Sequence, residues 1–76
     1  MSLVKTALEA AERRGFTVSV HPTKTAVISH YRETLLLFPQ EDGSVIYEVR
    51  EPMFEPHTRG HTHSELELSK IVKELR

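Results

Sequence analysis

The spacing of apolar residues changes twice along the chain, and these two changes constrain the fold more than any other feature. Apolar residues recur at helical spacing from Val4 to Ala11, Ser2 can cap the start of this helix, and Gly15 supplies a residue that favours a helix end. From Phe16 onward, apolar and polar residues tend to alternate, which is typical of half-buried strands. Helical spacing returns after residue 63. The pattern therefore predicts a helix, a group of strands and a second helix.

Four stretches in the middle of the chain have the composition and alternation of strands. They cover Phe16–Val20, Thr25–Tyr31, Thr34–Phe38 and Val45–Arg50. Arg32 and Glu33 lie between the second and third stretches, where they form either a tight turn or a bulge within one long strand. We therefore predict three or four antiparallel strands.

The last quarter of the chain divides into an irregular part and a helical part. Glu51–His63 holds two prolines, a glycine and three histidines without a period, so we predict an irregular connection there. Ser64 and Glu67 fit a capping box, and Thr62 and Glu65 fit another, so the sequence predicts the helix start to within two residues. The apolar positions that follow have helical spacing and are Leu68, Ile71, Val72 and Leu75. Two amphipathic helices can cover one face of an antiparallel meander, which gives an α+β two-layer sandwich.

Composition limits the function as well as the size. With 76 residues the chain can build only one small core, so residues 1–76 are predicted to form one domain. The absence of cysteine excludes thiolate metal sites and a cysteine nucleophile. The apolar runs fall far short of the roughly 20 residues that a membrane helix needs. We therefore expect a cytoplasmic protein that makes no membrane contact.

Three of the five histidines fall within seven residues, at His57, His61 and His63. Neutral imidazoles bind zinc, copper and nickel, so this segment is a candidate metal site. The alternative is a solvated polar loop that leads into the second helix, and we favour it because the spacing matches no defined metal geometry. No cofactor is therefore predicted.

A nucleic-acid interface, formed by Arg59, Lys70 and Lys73, is an alternative that ranks above the metal site. Glutamates are interleaved with these cations, and the net charge of −1 does not indicate a general nucleic-acid binder. The simpler interpretation is a solvated helix face with salt bridges between neighbouring turns.

The predicted order of elements resembles that of double-stranded-RNA-binding domains and of the small toxin ribonucleases of the HicA type. Gly15-Phe16 after the first helix, and His63 before Glu65-Leu66, are similar to the toxins' pattern. The resemblance implies an RNA-binding or RNA-processing module. The chain departs from both groups: Ser64–Leu68 holds two glutamates where the RNA-binding domains carry lysines, and the toxins' strand histidine after a Gly-Ser pair is absent. No catalytic residue is carried over.

Binding to another protein is the function that the sequence favours. Residues 40–56 contain five acidic residues and one basic residue around Met53 and Phe54, which suggests apolar anchors within a polar rim. Arg59 completes this predicted surface. A sheet edge also permits a homodimer. Catalysis is not expected, because no phosphate-binding loop, nucleophile elbow or paired-aspartate motif occurs.

Overall fold

The computed structural model describes residues 2–51 and 58–76. The elements follow in the order α1 (Leu3–Arg13), β1 (Thr17–Val20), β2 (Ala26–Ser29), β3 (Thr34–Pro39), β4 (Val45–Arg50), β5 (Thr58–Thr62) and α2 (Glu65–Lys73). The α+β class and the helix–strands–helix order are therefore as predicted.

The five strands form one antiparallel sheet in which each strand pairs with its neighbour along the chain. Leu35 lies opposite Ile28 on one side and Val49 on the other, so the three side chains share a face. Leu36 lies opposite Val27, and these two share the other face. This alternation divides the sheet into two faces that have different surroundings.

Both helices begin at the serine that the sequence predicts, and α1 ends before Gly15 as expected, whereas α2 ends at Lys73 although the apolar spacing continues to Leu75. The Ser2 hydroxyl accepts a hydrogen bond from the Lys5 N–H at 3.3 Å, and the Ser64 hydroxyl accepts one from the Glu67 N–H at 3.2 Å. These contacts satisfy amides that have no partner within the helix. After α1 the chain turns at Gly15, whose φ of +79° is a conformation that glycine adopts without strain.

The two helices run parallel to each other. Near their starts, the Thr6 hydroxyl donates a hydrogen bond to Glu65 Oε1 at 3.3 Å, and near their ends Arg13 and Lys73 line one shallow groove. Their apolar sides meet one face of the sheet, here called the covered face, and form the core with it. The core consists of Ala7, Ala11, Ala26, Ile28, Leu35, Leu37, Val45, Val49, Leu68, Val72 and Leu75.

Tyr47 closes the covered face at the β5 side. Its hydroxyl donates a hydrogen bond to Glu67 Oε1 at 3.3 Å, so the ring links β4 to α2. The ring passes directly over Gly60 in β5, where a Cβ atom would overlap it. Burial and the neighbouring Glu67 carboxylate raise the pKa of Tyr47 above 10.0. Gly60 is therefore required by packing against a side chain on the adjacent strand.

The interruption at Arg32 and Glu33 is a turn between two separate strands, so the alternative of one long bulged strand is wrong. The N–H groups of both residues donate to the Arg76 carbonyl oxygen at 2.7 Å. The buried Glu33 carboxylate accepts a hydrogen bond from the Arg76 N–H at 2.9 Å. The turn thus provides polar partners for the segment that follows α2.

The predicted irregular connection is wrong for its last part, because Thr58–Thr62 form β5 and pair with β4. The sheet therefore has five described strands, where we predicted three or four. Backbone hydrogen bonds to β4 hold this segment extended although its side chains show no alternating period. None of the described helices is long and apolar enough to cross a membrane.

Candidate functional site

The face of the sheet opposite the helices, here called the open face, carries a group of apolar side chains. Val27, Leu36, Phe38 and Ile46 form this group, which we call the apolar patch. All four are half-buried, and none of them belongs to the core or packs against it. Within residues 2–51 and 58–76, both helices lie on the covered face and leave the patch without a helical layer.

A charged pair borders the apolar patch. Glu48 lies opposite Leu36 in β3 and opposite Arg59 in β5, so all three side chains are on the open face. Arg59 Nε is 3.6 Å from Glu48 Oε1. The Glu48 side chain is only 11% exposed, whereas Arg59 is 69% exposed. A carboxylate with so little solvent contact requires a cationic or hydrogen-bonding partner, and Arg59 supplies it.

A second polar group, here called the polar cluster, lies where the β3–β4 turn meets β5. It contains Asp42, Ser44, His61 and His63. The Ser44 hydroxyl donates to Asp42 Oδ1 and lies 2.6 Å from His61 Nε2. Because the hydroxyl has one proton and gives it to Asp42, His61 Nε2 must carry a proton and donate to Ser44. His61 also lies opposite Ile46, which places the cluster next to the apolar patch.

Electrostatics in the polar cluster favour the ionised form of Asp42. The Ser44 hydroxyl lowers the pKa of Asp42 below 3.8, and the Ser44 N–H, which donates at 2.9 Å, lowers it further. His63 Nε2 lies 3.6 Å from Asp42 Oδ2, and the His61 and His63 ring centroids are 5.6 Å apart. The carboxylate therefore orders the turn against β5.

The polar cluster differs from a catalytic triad in the order of its members. In a triad the histidine lies between the acid and the serine, and it removes the serine proton. Here Ser44 lies between Asp42 and His61, is 1% exposed, and already donates its proton to the carboxylate. The arrangement is suited to holding the β3–β4 turn in place, and the Ser44 oxygen is not presented to a substrate.

The structure describes two of the three predicted metal ligands. His61 and His63 lie together in the polar cluster, while His57 is outside the described residues. Among the residues that the structure describes, no group of three or more His, Cys, Asp or Glu side chains is arranged to hold a metal ion. A site that includes His57 remains a prediction from the sequence.

The predicted nucleic-acid residues do not form one surface. Arg59 is on the open face, paired with Glu48. Lys70 and Lys73 belong to α2, which packs on the covered face. Lys73 instead lines a shallow groove with Arg13 and Arg14, at the ends of the two helices.

Of the predicted protein-contact residues, Arg59 lies beside the apolar patch, while Met53 and Phe54 fall outside the described residues. The sequence interpretation missed the patch itself. The run from Leu35 to Phe38 is apolar at every position, whereas a strand with one solvated face alternates. That run indicated that β3 carries apolar side chains on both faces.

Comparison with known proteins assigns no family to this fold. No protein-family model, curated protein or solved structure matches the chain.

Proposed function

We propose that the protein is a protein-binding domain and that the apolar patch, with Arg59 at its margin, is its contact surface. One observation carries the proposal: four apolar side chains are adjacent on a sheet face that neither helix covers. Polar groups border these side chains on two sides: the Glu48–Arg59 pair on one side and the polar cluster on the other. Apolar centres with polar rims are the usual anatomy of protein–protein interfaces.

The chemistry of the patch favours a protein partner over a nucleic acid. Three of its four side chains are aliphatic, whereas surfaces that bind single strands offer several aromatic rings for base stacking. Arg59, the cation at the margin of the patch, is already paired with Glu48. Aliphatic side chains together with one aromatic side chain, Phe38, can pack against apolar side chains on the surface of a protein partner.

The experiment compares two exchanges of an apolar residue for serine on opposite sides of the molecule. Phe38→Ser removes the aromatic side chain of the apolar patch, which lies opposite Ile46. Leu66→Ser is the matched control, because Leu66 is 84% exposed on α2 and lies away from the open face. Immobilised chains capture partners from source-cell lysate with and without nuclease, and calorimetry then measures the affinity of the captured protein after its purification.

We expect Phe38→Ser to weaken the affinity by at least about tenfold, and Leu66→Ser to change it by less than about twofold. Far-UV circular dichroism checks that both variants are folded, and Ile46→Ser gives a second change in the patch. Equal affinity for wild type, Phe38→Ser and Ile46→Ser would contradict the proposal. Loss of the captured molecules after nuclease would instead favour the nucleic-acid alternative.

Met53 and Phe54 remain predicted contacts for the same partner. Met53→Ala together with Phe54→Ala is expected to weaken binding while it leaves the thermal melt nearly unchanged. A large fall in melting temperature would identify them as core residues.

A further inference from the structure

The two edges of the sheet differ in how they are protected against pairing with another strand. Exposed edges usually carry a charge or another feature that prevents further pairing. On one edge, β5 contains Arg59 and, at its centre, Gly60. On the other edge, β1 contains no charged residue, and residues 15–23 around it hold no Asp, Glu, Lys or Arg. No described strand pairs with the outer side of β1.

The backbone of β1 has hydrogen-bonding groups available on that outer side. The His21 N–H donates to the Thr25 carbonyl at 2.9 Å, which makes these two residues a hydrogen-bonded pair of the β1–β2 ladder. Such pairs alternate along an antiparallel ladder, so Ser19 also bonds towards β2. The N–H and carbonyl groups of Val18 and Val20 therefore point away from the sheet.

We propose that β1 pairs with β1 of a second copy of this chain, antiparallel, with the two-fold axis at Ser19. In this register Val18 of each copy lies opposite Val20 of the other, and both pairs are hydrogen-bonded. Four backbone hydrogen bonds form, and they use every outward-pointing group of Val18 and Val20. The two five-stranded sheets then become one continuous sheet.

The side chains support the same register. Val18 and Val20 are on the covered face, because they lie opposite the core residues Ile28 and Ala26. Val20 is 56% exposed in the single chain, and the pairing places the four valines of the two copies side by side. The two Ser19 side chains meet at the axis on the open face. Since β1 has no charge, no like charges from the two strands oppose each other at the edge.

The chain has no cysteine, so a single introduced thiol tests the register directly. Residues opposite each other in a non-hydrogen-bonded pair have Cα atoms about 4.5 Å apart, which allows a disulfide. We expect Ser19→Cys to form a disulfide-linked dimer under mild oxidation. Ser29→Cys is the matched control, because Ser29 lies one strand inward on the same face and is expected to remain largely unlinked.

Sedimentation velocity over about a hundredfold range of concentration tests the association without a cross-link. We expect the wild type and Ser29→Lys to dimerise as concentration rises. Ser19→Lys places two lysines opposite each other at the axis and is expected to remain monomeric. The proposal is overturned if the wild type stays monomeric throughout and Ser19→Cys cross-links no faster than Ser29→Cys. It is also overturned if Ser19→Lys dimerises like the wild type.

This proposal and the protein-binding proposal fail separately. The β1 edge contains no residue of the apolar patch, so Phe38→Ser is expected to leave the dimer intact. A dimer that persists in Ser19→Lys and is lost in Phe38→Ser would place the association on the open face and contradict the β1 register.

Discussion

The covered and open faces of the sheet use the same strands and similar apolar residues for different purposes. In β3, Leu35 and Leu37 are fully buried beneath the helices, whereas Leu36 between them is half-buried on the open face. Burial of the covered face stabilises the fold. The apolar residues of the open face contact no described helix. The part of their surface that is still exposed can therefore be buried by a binding partner, which would stabilise the complex. Apolar content in a strand therefore does not by itself measure how much that strand contributes to the core.

The largest effect on the free energy of unfolding is expected for Leu35, when it is compared with its neighbour Leu36 on the other face. Leu35→Ala leaves a cavity in the core and is expected to lower the free energy of unfolding by about 2–5 kcal/mol. Leu36→Ala removes the same atoms from the open face, and we expect a loss of about 1 kcal/mol. Urea unfolding followed by far-UV circular dichroism measures both.

Equal losses for the two leucine variants would contradict the distinction between the faces. If Leu35→Ala does not fold, Ile28→Val makes a smaller change in the same core, with an expected loss of about 0.5–1.5 kcal/mol. Its matched partner is Val27→Ala on the open face, which also removes little buried volume.

An intermediate effect is expected where Tyr47 closes the covered face. Gly60→Ala introduces a Cβ that overlaps the Tyr47 ring, so the ring must move. We expect a loss of about 1–3 kcal/mol in the free energy of unfolding. In a Tyr47→Val background the ring is absent, and the same glycine substitution is expected to cost little. A double-mutant cycle by urea unfolding measures the difference, and additive effects of the two substitutions would contradict the packing argument.

The smallest effect on the free energy of unfolding is expected in the polar cluster, and this effect depends on pH. The pKa of Asp42 is lower in the folded protein than its ordinary value of 3.8, so the ionised carboxylate stabilises the fold above pH 3.8. That stability is lost as pH falls through the folded pKa. We expect Asp42→Asn to be less stable than the wild type at neutral pH.

Urea unfolding of both proteins at a series of pH values tests this expectation. The difference between wild type and Asp42→Asn should decrease below pH 3.8. A difference that is independent of pH down to strong acid would mean that the charge of Asp42 does not stabilise the turn.

The sequence predicted those elements whose signals are local. Helix caps at Ser2 and Ser64 depend on residues three positions away, and the strand alternation around Val45–Arg50 is visible within one segment. For Thr58–Thr62 the local signal was absent. Arg59, Gly60 and His61 form a strand because β4 offers a free edge, and that edge is not visible in the five residues themselves.

The candidate site was predictable only in part for the same reason. Arg59 was selected for its charge and lies on the open face, but its partner Glu48 is eleven positions away on another strand. The apolar patch combines residues of three strands, so it exists only once the register of the sheet is known. The uninterrupted apolar run in β3 was the local sign of it.

The position of α2 after the strands affects how the chain folds while it is being synthesised. Each strand pairs with its predecessor, so the sheet can form progressively as the chain emerges from the ribosome. The α2 helix is made after all five described strands, yet it supplies Leu68 and Val72 to the core beside α1. The nascent sheet therefore exposes part of its covered face until α2 emerges, and during that interval both faces present apolar side chains to the ribosome surface and to chaperones.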